Sequence, residues 1–343
     1  MNSFKYRIDY KHASLSIKDI LKSFSLAKDK IYLYNLNKKI FLNEQNVDDQ
    51  TIVKENDLLE IELNENIDIL PLGENLNIVY EDDYYLIVNK KKNLLVHSDG
   101  VSDELTLSNY VASYYKKHHI RRKVRVCNRL DYNTSGLVIF AKDPLASSSM
   151  DKLIRERKIK KKYYAVCHNK FSHQEGLIDE KIGNDRHNNK KMIITKNGKE
   201  SLTKYKVIKN GKISVCDVEL LTGRTHQIRV HFAYINHPLL GDELYSKDED
   251  KNLLLQAYFI SFIHPFTNEE VNVQIEMDKD IKETAFTFGI ISFVFLILQP
   301  VIAIFLSAIG IYRGINEANK LYITMNACVF ITSVYLIMSI LLR

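Results

Sequence analysis

Short apolar runs separated by polar turns dominate the chain between residues 76 and 283, and they limit the folds open to it. Two stretches there, 105–117 and 145–157, have apolar residues at helical spacing. Five runs have the length of buried β-strands: residues 84–89, 137–141, 163–167, 203–208 and 213–221. Because helices and strands do not alternate regularly, the pattern argues against a doubly wound parallel sheet. It predicts an α+β fold with a mixed, mainly antiparallel sheet.

Residues 1–75 predict a small N-terminal domain of mixed α/β type. Ser16 is placed to cap a helix that runs to about Phe24, with apolar residues on one face. Residues 59–63 alternate between apolar side chains and glutamates, as a half-buried strand does. A turn-rich link with Pro71 and Gly73 then leads into residues 76–283, which we expect to form a second domain.

The C-terminal composition is different. Residues 286–312 and 321–342 contain no charged side chain and are mostly apolar. Each is long enough to cross a hydrocarbon core of about 30 Å as a helix. We therefore predict that residues 284–343 form a hairpin of two transmembrane helices. The alternative is a separate small membrane protein joined to the chain by gene fusion or a sequence-reading error.

The basic excess lies on the middle of the chain. Residues 76–283 carry a net charge of +7, against −3 for residues 1–75 and +2 for the rest. It is concentrated at residues 121–125 and in the run 152–162. Such clusters are often only solvated surface, but a pair of them is also typical of phosphate contacts with RNA.

Cysteine usage and the N-terminus indicate a cytosolic protein. The four cysteines are Cys127, Cys167, Cys216 and Cys328, at wide spacings typical of neither a zinc site nor a disulfide framework. The first ten residues are polar and have no apolar core, so we expect no signal peptide.

Residues 129–137 read Arg-Leu-Asp-Tyr-Asn-Thr-Ser-Gly-Leu and lead directly into the apolar run that ends at Ala141. This order places the carboxylate of Asp131 in a tight turn at the mouth of a sheet. Taken alone, an aspartate before Thr-Ser-Gly is only a turn former.

Three further segments occur in a fixed order around that turn. They are Glu81-Asp82 with Leu86-Ile87-Val88-Asn89-Lys90 and Val96-His97; Lys162-Tyr163-Tyr164-Ala165; and residues 222–231, Thr-Gly-Arg-Thr-His-Gln-Ile-Arg-Val-His, continued by His237-Pro238, Gly241-Asp242 and Tyr245. Together the four segments resemble the motifs of the RluA-type pseudouridine synthases, which isomerise uridine within RNA. The resemblance covers residues 76–277. It implies a sheet of the pseudouridine synthase type, a monomeric catalytic domain, and chemistry without a metal or redox cofactor.

Residues 1–75, a helix followed by short strands, resemble the small RNA-binding domain that precedes the catalytic domain in many family members. Because they are acidic, a degenerate copy or a domain kept only for packing is the alternative.

The resemblance also implies roles for individual residues. Asp131 matches the nucleophile, which attacks either the sugar or the pyrimidine ring. Tyr163 matches the aromatic residue that packs on the target uracil, with assistance in proton transfer at the ring carbon as a further expected role. Arg229 matches the arginine that pairs with the nucleophile, and a carboxylate buried under a base needs such a partner to stay ionised. Arg224 is the competitor for that pairing.

RNA contacts are expected from basic residues near these motifs. Arg129 would fill the space left by the flipped base or hold a phosphate, although a surface salt bridge is the plain alternative. The full set of expected RNA-binding residues is Arg129, Arg224, Arg121, Arg122, Lys123, Lys160, Lys161 and Lys162.

Other positions in and near the motifs are expected to be structural or differ from the family. His226 and His231 are expected to make structural hydrogen bonds. Asn128, Lys91, Asn93 and Gln256 depart from the usual residues of the family.

The sequence thus predicts an isomerase acting on structured RNA, ribosomal RNA before transfer RNA. Its catalytic domain would be cytoplasmic and anchored to a membrane through residues 286–342. The main alternative is a catalytically silent RNA-binding protein on the same fold. A glycoside hydrolase using Asp131 is a weaker alternative, because that chemistry needs a second carboxylate about 5 to 10 Å away and the spacing suggests none.

Overall fold

The computed structural model describes residues 3–98, 100 and 104–284, together with residues 304, 308, 309, 311, 312, 326, 327 and 329–334. Residues Met1–Ile281 form one compact unit, and Lys282–Arg343 form a second. The site and its framework belong to the first unit.

The N-terminal part of that unit is a four-stranded antiparallel sheet with two helices. Its elements are β1 (Ser3–Arg7), α1 (Ile17–Ser23), α2 (Lys28–Leu36), β2 (Ile40–Leu42), β3 (Gln45–Asn46) and β4 (Leu58–Glu62), with strand order β1-β4-β2-β3. The predicted cap of α1 is confirmed, since the Ser16 side chain accepts a hydrogen bond from the backbone N–H of Asp19.

A ten-stranded sheet forms the rest of the unit, beside a separate two-stranded hairpin. Its first strands are β5 (Ile78–Glu81), β6 (Tyr85–Lys90), β7 (Arg125–Val126), β8 (Ser135–Ala141) and β9 (Lys160–His168). The later ones are β10 (Glu175–Asp179), β13 (Leu202–Lys209), β14 (Ile213–Leu220), β15 (Leu255–Ile263) and β16 (Glu270–Gln274). The hairpin is β11 (Ile182–Asn184) with β12 (Met192–Ile194).

The large sheet runs in the order β10-β13-β14-β9-β15-β8-β6-β5, with β16 paired to β15 and β7 to β8. Among the strands in the described ranges, every pairing is antiparallel except the short parallel contact of β8 with β15. The α+β fold with a mixed, mainly antiparallel sheet is therefore confirmed. β8 is buried along its whole length, as its uninterrupted apolar sequence requires.

Three helices accompany the large sheet: α3 (Leu107–Lys117), α4 (Pro144–Arg155) and α5 (Gln227–Tyr234). Asp143 caps α4 by accepting hydrogen bonds from the N–H groups of Leu145 and Ala146, and Pro144 occupies the first turn. Burial raises the pKa of the Asp143 carboxyl to about 6. α5 begins after His226, whose backbone is left-handed.

The two sheets share one hydrophobic core. Phe4 and Tyr6 of β1 belong to the same buried cluster as Tyr85 of β6, Leu137 of β8 and Phe262 of β15. Phe266 stacks its ring on Tyr84 at a centroid distance of 4.4 Å and meets Phe4 edge-on at 5.3 Å. The assignment of residues 1–75 and 76–283 to separate domains stays a prediction.

The predicted membrane hairpin falls almost entirely outside the described residues. Within the part of the chain that the structure describes, no helix combines the length and apolar character needed to cross a membrane. The transmembrane helices predicted at 286–312 and 321–342 therefore have no support from the fold.

Gly136 marks the point where β8 meets β15. Its φ is +116°, and a Cβ added there would lie 2.1 Å from the carbonyl oxygen of Ala257. Replacing Gly136 by Ala should lower the free energy of unfolding by at least about 3 kcal/mol, because both the backbone strain and the clash must be relieved. Urea unfolding measures this.

Gly211 supplies the matched control for that substitution. A Cβ at Gly211 meets only the carbonyl oxygen of Ile213, at 3.3 Å. We expect Gly211→Ala to change the stability much less. Equal effects at the two glycines would contradict the close approach of β8 and β15.

Candidate active site

A cavity of about 1030 Å³ opens at the centre of the large sheet. The turn before β8, the strand β9 and the segment that leads into α5 all contribute to its lining. Asp131, Tyr163 and Arg229 line it together, although they are widely separated in sequence. The structure thus brings together the three residues expected to be catalytic.

Asp131 and Arg229 form an ion pair in this cavity. Nη1 of Arg229 lies 3.1 Å from Oδ2 of Asp131, and the Asp131 side chain is 29% exposed. The Arg229 side chain is 8% exposed, so the pair is shielded on one side and open to the cavity on the other. Such a guanidinium partner keeps the carboxylate ionised and oriented.

A second carboxylate, that of Asp242, holds the guanidinium of Arg229 through the two nitrogens that do not face Asp131. The motifs in the sequence did not indicate a role for it in the site. Asp242 is buried, and its two oxygens accept bonds of 2.8 Å each from Nε and Nη2 of Arg229. Burial alone would lower the pKa of Arg229, but its bonds to Asp242 and then to Asp131 raise it. The bidentate pair leaves only Nη1 to face Asp131.

Strand alternation on β9 separates residues that are adjacent in sequence. Tyr163 and Lys161 line the cavity, and burial lowers the pKa of Lys161. Burial, and after it the charge of Asp131, raises the pKa of the Tyr163 hydroxyl. Lys162 instead bonds Asp217 on the neighbouring strand β14, at 2.9 Å.

Of the expected RNA-binding residues, three line the cavity: Arg129, Lys161 and Arg224. Arg129 is exposed. Nε of Arg224 donates to the carbonyl of Glu200 at 3.0 Å, which makes it a contact within the protein rather than a partner of Asp131. Further basic residues that the expected set omitted also line the cavity: Arg155, Arg157 and Lys190.

The remaining expected RNA contacts lie outside the cavity lining, and two of them bond to other parts of the protein. Arg122 is buried at 6% exposure and donates to the carbonyl of Ser3 at 2.6 Å. This hydrogen bond connects the segment before β7 to β1. Lys162 is engaged with Asp217, as described above. Arg121, Lys123 and Lys160 are exposed and keep their role as a prediction.

Lys90 holds the backbone of the turn that carries Asp131. Its Nζ is buried and donates to three carbonyls, those of Lys91, Leu94 and Tyr132, at 2.8 to 3.0 Å. Burial lowers the pKa of Lys90 to about 7, while the nearby Asp131 favours the ammonium form. In the sequence, the position of Lys90 at the end of the motif Leu86-Ile87-Val88-Asn89-Lys90 could have indicated this contact.

The two histidines of the segment before and within α5 have different surroundings. His231 is fully buried and bonds Thr203 Oγ1 at 2.9 Å and the carbonyl of Glu180 at 3.0 Å, as expected of a structural residue. His226 lies in the cavity, with Nε2 3.8 Å from Oδ2 of Asp131.

Two departures from the usual family residues make structural bonds. Asn128 bonds the backbone of β8 with both ends of its amide, accepting from the N–H of Ile139 at 2.7 Å and donating to the carbonyl of Leu137 at 3.3 Å. Gln256 is buried and bonds Asp278 with both ends of its amide. Through the described ranges, no group of three His, Cys, Asp or Glu residues is arranged to hold a metal ion.

Comparison with known proteins agrees with this geometry. The family model described as RNA pseudouridylate synthase matches residues 84–234. The chain is 32% identical over 259 residues to the uncharacterized RNA pseudouridine synthase YhcT of Bacillus subtilis, covering 74% of this chain and 86% of that protein. The chain belongs to the RNA pseudouridine synthase family. Members of this family are isomerases.

One further relative and one solved structure are also similar to this chain. The chain is 32% identical over 305 residues to the ribosomal large subunit pseudouridine synthase D of Blochmanniella floridana, covering 80% of this chain and 92% of that protein. The solved structure of the human RNA pseudouridylate synthase domain containing 1 superposes with a TM-score of 0.51 at 27% identity. That match covers 61% of this chain and 86% of the human one.

The Asp242–Arg229 pair should dominate the stability of the site. Replacing Asp242 by Asn should lower the free energy of unfolding by about 3 kcal/mol, because a buried guanidinium loses its bidentate charge partner. Urea unfolding measures the change.

Asp217→Asn is the matched control, since it removes the charge from the partly exposed pair with Lys162. We expect a change of about 1 kcal/mol or less there. If the two variants lost the same stability, Asp242 would not be the anchor of Arg229.

Proposed function

We propose that this enzyme converts uridine to pseudouridine in structured RNA, with Asp131 as the nucleophile. The observation that carries the proposal is the 3.1 Å ion pair of Asp131 with Arg229, inside a cavity that Tyr163 also lines. The cavity volume of about 1030 Å³ is ample for one nucleotide flipped out of its stack.

In the proposed reaction the bond between uracil and ribose breaks, the base turns, and a ring carbon joins the sugar. The ring carbon loses a proton and the ring nitrogen gains one, so the product is an isomer and no co-substrate is needed. Asp131 attacks the sugar or the pyrimidine ring and is released at the end. Arg229 keeps its carboxylate charged while the base covers it.

Tyr163 and the basic residues around the cavity complete the proposal. Because its pKa is raised, the Tyr163 hydroxyl stays protonated near neutral pH, which suits packing on the uracil better than removing a proton. Arg129 would occupy the space that the flipped base leaves. Arg155, Arg157 and Lys190 would contact phosphates together with Lys161.

Ribosomal RNA is the substrate that we favour. Its support is the name of the Blochmanniella floridana relative, a ribosomal large subunit pseudouridine synthase, which matches 80% of this chain. Mapping pseudouridines in all RNA from cells with and without the gene tests this. Sites lost only from transfer RNA would contradict the choice.

Replacing Asp131 by Asn should reduce pseudouridine formation to background, because an amide is not a nucleophile at neutral pH. The measurement is tritium release from RNA whose uridines are tritiated at the ring carbon, with the fold checked by circular dichroism. Asp29→Asn, on the exposed face of α2, is the control and should keep full activity.

Activity that survived Asp131→Asn would refute the assignment of the nucleophile. RNA binding without any isomerisation by the unaltered enzyme would instead favour the silent RNA-binding protein.

From the sequence alone we also propose that residues 286–312 and 321–342 tether the catalytic domain to a membrane. The proposal rests on the uncharged, apolar composition of both segments. The tether would keep the catalytic domain in the cytoplasm, where its RNA is.

Cell fractionation tests the tether. Full-length protein should sediment with membranes and be released by detergent but not by high salt. A full-length chain in the supernatant would contradict it.

A further inference from the structure

His226 has a left-handed backbone at the edge of the active-site cavity. Its φ is 55° and its ψ is 20°, a left-handed conformation that residues with a Cβ adopt infrequently. Backbone strain of this kind concentrates at functional sites. Here it places the imidazole between Asp131 and Tyr245.

The neighbours of His226 determine which of its nitrogens carries the proton. Nδ1 lies 3.0 Å from the hydroxyl of Tyr245, and that hydroxyl accepts the backbone N–H of Met192 at 2.8 Å. The single hydroxyl proton is then free to be donated to Nδ1. Nδ1 is the acceptor, so the ring proton sits on Nε2, which faces Asp131. The other tautomer would point a lone pair at a carboxylate.

Both cationic and neutral donors therefore face the same oxygen of Asp131. Nη1 of Arg229 is 3.1 Å from Oδ2, and Nε2 of His226 is 3.8 Å from it. The second distance exceeds a hydrogen bond, but such contacts in free enzymes are often long and tighten when substrate binds. In the described part of the chain, Oδ1 has no hydrogen-bond partner.

We propose that His226 is a positioning residue that donates from Nε2 to Oδ2 of Asp131, so that Oδ1 is the oxygen that attacks. This role rests on the proposed function of the site. Tyr245 supports this role, because its hydroxyl donates to Nδ1 and so fixes the tautomer of His226.

Burial, more than the surrounding charges, favours the neutral form of His226. Burial lowers its pKa, Asp131 and Asp242 act in the opposite direction, and Arg229 lowers it further. Among the other charged groups nearby, Lys191 lies over the Tyr245 ring at 5.8 Å and Glu243 lines the same cavity. A neutral His226 with its proton on Nε2 can donate without gaining a second proton. The rate should therefore not change with the ionisation of His226 near neutral pH.

Two substitutions of His226 test the roles of its two ring nitrogens separately. Asn tolerates the left-handed backbone and keeps a polar group near the position of Nδ1, but has nothing at that of Nε2. Gln carries its amide nitrogen to the position of Nε2. We expect His226→Asn to slow single-turnover isomerisation about 10- to 100-fold, as losing a hydrogen bond to a charged group does, with RNA affinity unchanged. His226→Gln should recover most of the rate.

Tyr245→Phe tests the tautomer. Without the hydroxyl, His226 donates dependably only when protonated, so the rate of this variant should fall as pH rises through the pKa of His226. The unaltered enzyme should show no such step. Nitrogen chemical shifts of His226 in the free protein report the tautomer directly, whether or not RNA reacts.

The probe is an unmodified transcript of large-subunit ribosomal RNA, tritiated at the ring carbon of uridine, with every variant checked for folding. Equal rates for His226→Asn and the unaltered enzyme, or equal losses for His226→Asn and His226→Gln, would overturn the positioning role. A proton found on Nδ1 would overturn it even in an enzyme that proved inactive. An inactive unaltered enzyme with the proton on Nε2 would overturn the proposed function, and the positioning role of His226 with it.

Discussion

The bidentate pair of Arg229 with Asp242 is the interaction on which the rest of the site depends. Asp242 is inaccessible to solvent and uses both oxygens on Nε and Nη2 of Arg229. A buried carboxylate is costly unless it is paired in this way. Because two of the three guanidinium nitrogens are committed, the third has one possible direction, and it points to Asp131. Lysine could not replace arginine here, since an ammonium has no fork to share between two acids.

The backbone of the turn that carries Asp131 has its own anchor, independent of that pair. Lys90 ends β6 and binds the carbonyl of Tyr132, the residue after Asp131, along with those of Lys91 and Leu94. Arg229 therefore orients the side chain of Asp131, and Lys90 orients the main chain beside it. Both anchors come from elements that the turn does not belong to, so the site is assembled only when the sheet and α5 have packed.

Apolar patterning predicted five of the ten strands of the large sheet, and for a physical reason. A strand buried on both faces, such as β8, must be apolar along its length, and the predicted run 137–141 lies within Ser135–Ala141. Charge clusters were a poorer guide because neighbours on a strand face opposite ways. Lys161 shares the cavity with Tyr163, whereas Lys162 pairs with Asp217, and Arg122 is buried beside β1. The contact between Tyr245 and Met192 joins residues distant in sequence, so no local pattern could reveal it.

The charge balance at the base of the cavity explains why a neutral His226 suits this chemistry. Asp131 and Asp242 share the single positive charge of Arg229, so the three groups together keep one negative charge. A neutral imidazole that donates through Nε2 orients the carboxylate and leaves its charge in place. Burial lowers the pKa of His226, which favours this neutral form. In the proposed complex, the exposed cavity-lining residues Arg129 and Arg157 would meet the phosphates of an RNA strand without neutralising Asp131.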